Sequence, residues 1–298
     1  MISDSSTAVG QPLRQQQVHG SKPLWAAMRT GLAYLFIIAG ALFTAMPFVW
    51  MFLSSFKGQA DIAAIPLRWL PTIWRPENYS MIWELMPFTR FYLNSTIIAV
   101  SQTLGVLLTA SLGAYGFARI NFYGRNTAFL LYLGTIMIPG WVTLIPVFKI
   151  IRDLGWLNTY QGMIVPGLTS AMATFLLRQF FMTIPSELED AAFIDGANRL
   201  RIYWQIVMPL ARPALLTVGL ITFMGSWNSL LWPLVVAQSE EMQTLPLGLA
   251  RLALSGGWVR IEWGALMAAT LLSILPIMVI YVFLQNYFIR GIAMSGLK

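Results

Sequence analysis

The chain has no cysteine and one histidine among its 298 residues. The first absence excludes disulfides and any cysteine-ligated metal. The lone His19 sits in a polar N-terminal stretch with nothing around it to make a metal or catalytic centre. Charge is the next scarcity: 10% of residues are charged, where an ordinary soluble domain carries about 25%. With 57% of residues hydrophobic, this excludes an ordinary globular protein. It equally excludes disorder, which needs low hydrophobicity and high charge. The net charge of +7 is spread through short loops and does not gather on one soluble face. That fits the edges of a membrane protein and speaks against nucleic acid.

What is there is oil in long runs. Charge-free stretches cover 30–56, 91–118, 126–148, 154–177, 213–239 and 263–289, the shortest of them 23 residues. A helix needs about 20 residues to cross the hydrocarbon of a bilayer. Weak alternation and continuous Leu, Ile, Phe and Ala content make these helices and not barrel strands. The expected fold is therefore an all-α integral membrane protein, a six-helix bundle. Pro47, Pro139, Pro146, Pro166, Pro233 and Pro276 lie inside the runs and predict kinks. An even number of spans puts both termini on one side. If that side is the cytoplasm, inside segments 1–29, 119–125, 178–212 and 290–298 carry 11 of the 19 Lys and Arg, which is the expected bias. The layout is then a cytoplasmic tail 1–29, a six-span domain 30–290 and a short cytoplasmic tail 291–298. The first apolar run is too long for a signal h-region and is expected to stay as a membrane helix. Trp69, Trp74, Trp83, Trp156, Trp258 and Trp263 fall at or outside span ends, as interfacial anchors do. No repeat, low-complexity block or second domain is visible.

One stretch breaks the pattern: "ELEDAAFIDGANRLRIYWQIVMPLARP", Glu187 to Pro213, with seven charged residues. It reads as two short helices. Ser186 is a good N-cap, with Glu189 three residues on completing a capping box, and Glu187, Glu189 and Asp190 suit a helix N-terminus. Gly196 stops the first helix as a residue able to adopt left-handed geometry. Asn198 can cap a second, whose apolar Leu200, Tyr203, Trp204 and Val207 follow i, i+3, i+4, i+7 spacing. Pro209 ends it and Pro213 starts the next span. A solvated connector would carry such signals too. The small residues Ala191, Ala192, Gly196 and Ala197 add something a connector does not need, a surface that lets a partner's backbone come close.

At these residues the chain resembles a known family. Glu189-Asp190-Ala191-Ala192, then Asp195-Gly196-Ala197, then Ile206-Val207-Met208-Pro209 is similar to the signature loop of ABC-importer permease subunits: E-A-A, three residues, G, nine residues, I-x-L-P. The spacing matches; Asp190 stands where Glu is usual and Met208 where Leu is usual. "FLLRQFFMTIPSELEDAAFIDGA", Trp227-Asn228 and the ending "YFIRGIAMSGLK" resemble the maltose-type, carbohydrate-importing branch. The resemblance implies a type I importer fold whose coupling helix, in the loop 184–212 between spans 4 and 5, sits in a cleft of a cytoplasmic ABC ATPase dimer. It implies that Glu189, Asp190, Ala191, Ala192, Asp195, Gly196, Ala197, Ile206 and Pro209 make that contact. Further implied partners are a second permease subunit, as a heterodimer, and an extracytoplasmic solute-binding protein. The setting would be the bacterial or archaeal cytoplasmic membrane. The chain would bind no cofactor and no metal, ATP and Mg being used by the partner ATPase. Independently, no G-x-x-x-x-G-K-[ST] occurs anywhere, so phosphates are not cradled here by that route.

The spans hold no charged side chain, so no proton relay or ion-coupling carboxylate is visible. That counts against the main alternative, an ion-coupled secondary transporter of a small polar solute. An enzyme would want clustered His, Asp or Glu near an interface, and a channel a filter-like loop or ring of charge; neither is seen. Polar residues within the spans include Ser101, Gln102, Thr103, Ser170 and Ser226. Asn94, Ser95, Thr174, Trp227 and Asn228 are the candidates for a substrate pathway, since hydroxyl-rich solutes suit neutral hydrogen-bonding groups beside aromatic faces. The same side chains commonly join helix to helix. A carbohydrate, a polyol or a glycerol phosphate fits the branch.

Overall fold

The structure is a computed structural model that describes residues 24–254 and 262–295. The N-terminal tail up to residue 23, Trp258 and the last three residues lie outside the described residues. The chain divides into two units, 1–49 and 50–298. In the first, the described residues belong to α1 (Leu24–Ser54), an apolar helix carrying Pro47 whose stretch Met28–Ser54 is long enough to cross a membrane.

In the second unit every described element is helical. α2 (Gln59–Ile62) and α3 (Glu77–Leu85) precede α4 (Phe88–Arg119), the long central helix. α5 (Arg125–Gly134), α6 (Gly140–Asp153), α7 (Tyr160–Ile164) and α8 (Ala171–Thr183) follow. Next come α9 (Glu187–Ile194) and α10 (Arg199–Leu210), the latter containing one π-helical stretch, Tyr203–Val207. α11 (Arg212–Trp227), α12 (Leu231–Val236), α13 (Leu245–Leu254) and α14 (Trp263–Ser295) complete the order. α4 packs along α8 and α11, and small residues on it, such as Ala99, Ala110 and Ala114, are fully buried, which lets neighbouring backbones close in. Toward the Arg119 end the core holds Val106, Tyr115, Leu177, Phe181, Ile202, Tyr203 and Val207. Toward the other end it holds Ile82, Phe91, Phe223, Trp227 and Ala268.

The charge-free runs are less continuous than expected. Three helices cross-length and apolar stand alone (Met28–Ser54, Phe88–Arg119, Trp263–Gln285), and three more candidate spans are bent pairs. The run 126–148 is broken by a 96° bend between Arg125–Met137 and Gly140–Asp153. Pro139 is the cause: it forces the preceding Ile138 to an extended ψ of 113°. The run 154–177 bends by 44° before Ala171, where extended Ser170 caps α8 by accepting from Ala173 N at 3.2 Å. The run 213–239 stops at Trp227 and resumes at Leu231. Pro233 has no N–H to give Ser229, and Asn228 Nδ2 donates to Met224 O at 2.9 Å, a local bond that competes with helix continuation.

Between α1 and α3 a polar network folds the segment 55–79. Asp61 accepts from Thr72 N (2.8 Å) and Thr72 Oγ1 (2.6 Å). Those bonds, and then Arg68, hold its carboxyl below the usual carboxylate range despite an opposing effect of burial. Lys57 is buried, donating to Arg68 O at 2.7 Å with its ammonium 3.7 Å from the Trp50 ring centroid.

Candidate functional site

The signature segment is a hairpin of two short helices. α9 begins with helical backbone already at Ser186 (φ −67°, ψ −27°), whose side chain accepts no capping bond. The expected capping box is therefore absent, and Glu189 is engaged elsewhere. α9 ends as expected: Gly196 has φ +80°, Gly196 N donates to Phe193 O (3.0 Å) and Ala197 N to Ala192 O (2.9 Å). That is a Schellman closure. Asn198 Oδ1 caps α10 by accepting from Arg201 N at 2.8 Å.

α10 differs from expectation in its face and its end. Tyr203 and Val207 are buried, but Leu200 and Trp204 are exposed, and Ile202 takes their place in the core. The register that results buries Ile202, Tyr203 and Val207, the last two being the ends of the π-helical stretch. The Tyr203 hydroxyl sets that register by meeting Ser111 Oγ of α4 at 2.6 Å. Pro209 does not end the helix; the chain turns by 79° after Leu210, and Pro213 is the second residue of α11.

α9 faces outward. Glu187, Leu188, Asp190, Ala191, Phe193 and Ile194 are exposed, Asp195 and Gly196 with them, and Ile194 is 87% exposed. Ala192, Ala197 and Ile206 are half-buried and, with Asp195, Arg201, Ile202 and Gln205, line a cavity of about 170 Å³ in the crook of the hairpin. Glu189 is the exception. It points inward, with Oε1 3.0 Å from Arg119 Nε at the end of α4. The two atoms are close enough for an ion pair yet not aligned for a hydrogen bond. Burial pushes the Glu189 carboxyl above its ordinary range, with the Arg119 charge opposing that shift. Sequence reasoning missed Arg119; its position as the last residue of an apolar run was the available signal.

The expected pathway residues are mostly committed to the bundle. Asn94 is fully buried, donating to Glu241 O and Gln243 O (both 2.8 Å) and accepting from Tyr160 OH (2.7 Å). Ser95 Oγ accepts from Leu245 N at 2.8 Å at the start of α13. Thr174 Oγ1 donates to Ser170 O at 3.0 Å. Trp227 is buried, its indole donating to Ser273 O at 3.0 Å. These four have their polar atoms bonded within the protein, Ser95 also lining a small cavity of about 20 Å³ with Gln102, Ser226 and Ser229, while Asn228 is exposed at the helix break. The open space lies next to them. Cavities of about 430 and 290 Å³ share Gln102, Gly167 and Ser229. The larger is flanked by Trp141 and Trp232, and the smaller by Ser170, Thr222 and Ser226. The Ser226 Oγ is buried without a hydrogen-bond partner. Irregular backbone at membrane depth is tolerated where it is buried in protein or lines a water-filled cavity, and the break at Ser229 lines both.

Six candidate spans, interrupted helices beside neutral polar cavities, and a charged helix hairpin at one end of the bundle define a membrane transport subunit. The chain belongs to the family of binding-protein-dependent transport system inner membrane components, whose model matches residues 103–294. It is 30% identical to the probable ABC transporter permease protein YurM of Bacillus subtilis (strain 168), across 100% of this chain and 95% of that one. It is 34% identical to the sn-glycerol-3-phosphate transport system permease protein UgpE of Yersinia pestis bv. Antiqua (strain Antiqua), covering 88% of this chain and 95% of the relative. Its fold matches a chain in the crystal structure of a bacterial ABC transporter involved in the import of the acidic polysaccharide alginate, with a TM-score of 0.77 and 25% identity over 90% of this chain and 99% of that one. The protein is thus a membrane-resident ABC importer permease, a transport component and not an enzyme, and the ion-coupled carrier is set aside.

Proposed function

We propose that this chain forms half of the translocation pathway of a binding-protein-dependent importer for a carbohydrate, polyol or glycerol phosphate, and that its 187–210 hairpin couples the pathway to a separate cytoplasmic ATPase. The observation that carries the reading is the hairpin itself. Its inner side is fastened to α4 by Tyr203, Ile202 and Val207, while its outer side presents Leu188, Phe193, Ile194 and Leu200 to a partner. Exposed apolar residues mixed with acids on so short a segment suit a protein interface. In this reading Asp190, Ala191, Ala192, Asp195, Gly196 and Ala197 form the contact, Ile206 and Pro209 support it, and Glu189 holds it to the bundle. The hairpin and both termini face the cytoplasm, supported by the 11 basic residues on that side of the topology. The ATPase subunits use ATP and Mg; a second permease completes the pathway, and a binding protein delivers the solute from outside. A bacterial alginate ABC transporter forms a complex with an alginate pentasaccharide-bound periplasmic protein, and the relative UgpE is the permease of an sn-glycerol-3-phosphate transport system.

Within the pathway, Gln102 through its Oε1, its Nε2 donating to Met163 O at 2.9 Å, together with Ser226 and Ser229, offers the solute hydrogen bonds, and Asn94, Ser95, Thr174 and Trp227 hold the helices around them. Uptake by the assembled importer tests this. Replacing Gln102 with Ala is expected to lower uptake without loss of folded protein, and unchanged uptake would remove Gln102 from the pathway.

A further inference from the structure

Arg119 touches three elements at once. It is the last residue of α4, its Nη2 donates to Phe181 O at 2.6 Å and to Ile184 O, and its Nε lies 3.0 Å from Glu189 Oε1. Phe181 and Ile184 close α8; Phe181 O also accepts from Ile184 N at 3.2 Å, and a cation is favoured at this end by the helix dipole. Glu189 lies in the first turn of α9, where a carboxylate is favoured for the opposite reason. A planar guanidinium can serve carbonyls and a carboxylate together, which a lysine ammonium on one stem does less well.

The junction matters because α9 has little else. Of its eight residues only Glu189 is buried; Ala192 packs half-buried against the core, while Leu188, Phe193 and Ile194 are exposed. α10, by contrast, is held by a core of Ile202, Tyr203 and Val207. The side chains of Arg119 and Glu189 are 12% and 8% exposed, so water screens their attraction weakly. Arg119 Nε and Glu189 Oε1 are nevertheless both buried without an aligned hydrogen bond. A contact that relies on charge and not on direction resists separation of the two groups while permitting small rotations.

We propose that Arg119 is a positioning residue that clamps α9, through Glu189, to the joined ends of α4 and α8, so that the three move as one body about a charged pivot. The reading of 187–210 as the ATPase-facing hairpin gives this clamp its use: a push on α9 would reach the long central helix directly.

The test uses the full chain in lipid nanodiscs, with pairs of introduced cysteines carrying spin labels, there being no native cysteine. One pair, Leu112 and Ile194, reports α4 against α9; another, Leu112 and Met182, reports α4 against α8. All three positions are exposed. The unmodified junction is expected to give a single narrow distance distribution for each pair. Glu189→Gln is expected to lose the narrow distribution for the first pair and keep it for the second. Arg119→Lys, which retains charge but not the fork, is expected to broaden both. The clamp is overturned if Glu189→Gln leaves the α4–α9 distribution as narrow as before, or if it broadens both pairs, which would mark a general loosening. The ATPase-facing reading is judged apart from this, by retention of the ATPase subunit, so either idea can fail alone.

Discussion

Replacing Gly196 with valine separates the folding of the hairpin from its docking. Gly196 has φ +80°, and a Cβ built there meets nothing within 4 Å. Within the subunit, then, the substitution meets no clash, and its penalty is backbone strain of about 1–2 kcal/mol for an L-residue in left-handed geometry. If the chain relaxes instead, the Gly196–Phe193 and Ala197–Ala192 bonds loosen, each worth about 0.5–1.5 kcal/mol. Either way the loss stays within about 1–3 kcal/mol, tolerable for a protein with about 5–15 kcal/mol in hand. The open space around the Cβ is where a docked partner would come, and a close-packed interface has no room for a branched side chain. Gly196→Ala carries similar strain with a single added methyl. The expected pattern is that both variants reach the membrane folded, as judged by size-exclusion profile and thermal melting. Alanine should retain much of the ATPase subunit on purification, whereas valine should lose it along with uptake. Normal co-purification and uptake with valine would refute the docking role and leave the hairpin a solvated connector.

Other expectations follow from individual contacts. Asn94→Ala abandons two backbone carbonyls and the Tyr160 hydroxyl; it should lower stability by about 2–4 kcal/mol in thermal melting, and an unchanged melting point would contradict a structural role. Ser226→Ala removes a buried hydroxyl without a partner. It should leave stability unchanged or raise it by up to about 1 kcal/mol while reducing uptake, and normal uptake would take Ser226 out of the pathway. Tyr203→Phe loses the bond to Ser111, with about 1 kcal/mol of stability; melting measurements that show no change would mean the bond does not set the register of α10. Because the Asp61 carboxyl is depressed by its Thr72 bonds, its contribution is present above the unfolded value near about pH 3.9 and fades as pH falls through the lower folded value. Protection of the Thr72 amide from hydrogen exchange, taken relative to the intrinsic rate at each pH, should therefore fall in acid, and in Asp61→Ala it should be low at every pH.

Much of this was legible from residue order. Charge scarcity marked the apolar helices, because a bilayer rejects charge wherever it falls, and three of them are long enough to cross a membrane unbroken. The stop at Gly196 and the cap at Asn198 were legible because both depend on neighbours within a few residues. Bends at Ile138 and Ser170 were harder: proline marks a weak point, but whether neighbouring helices keep the span straight is a matter of packing. Glu189 shows the limit most plainly. Local rules give it to Ser186, and a cation at the end of α4, 70 positions earlier, takes it instead. Asn94 is similar, since its partners Glu241 and Gln243 lie 147 and 149 positions away. A polar side chain in an apolar run announces that it needs a partner without saying whether helix or solute supplies it. The exposure of Leu200 and Trp204 follows from which side of α10 meets the core, a matter of packing that apolar spacing does not announce.

In the proposed function the hairpin faces the cytoplasm and is covered there by an ATPase. The most direct measurement is thiol labelling of a single cysteine at Ile194, 87% exposed and on the outer side of α9. An impermeant reagent should fail to label it in intact cells, should label it in inverted vesicles stripped of peripheral subunits, and should be blocked again when the ATPase is restored. Labelling from outside intact cells, or equal labelling with and without the ATPase, would contradict the account.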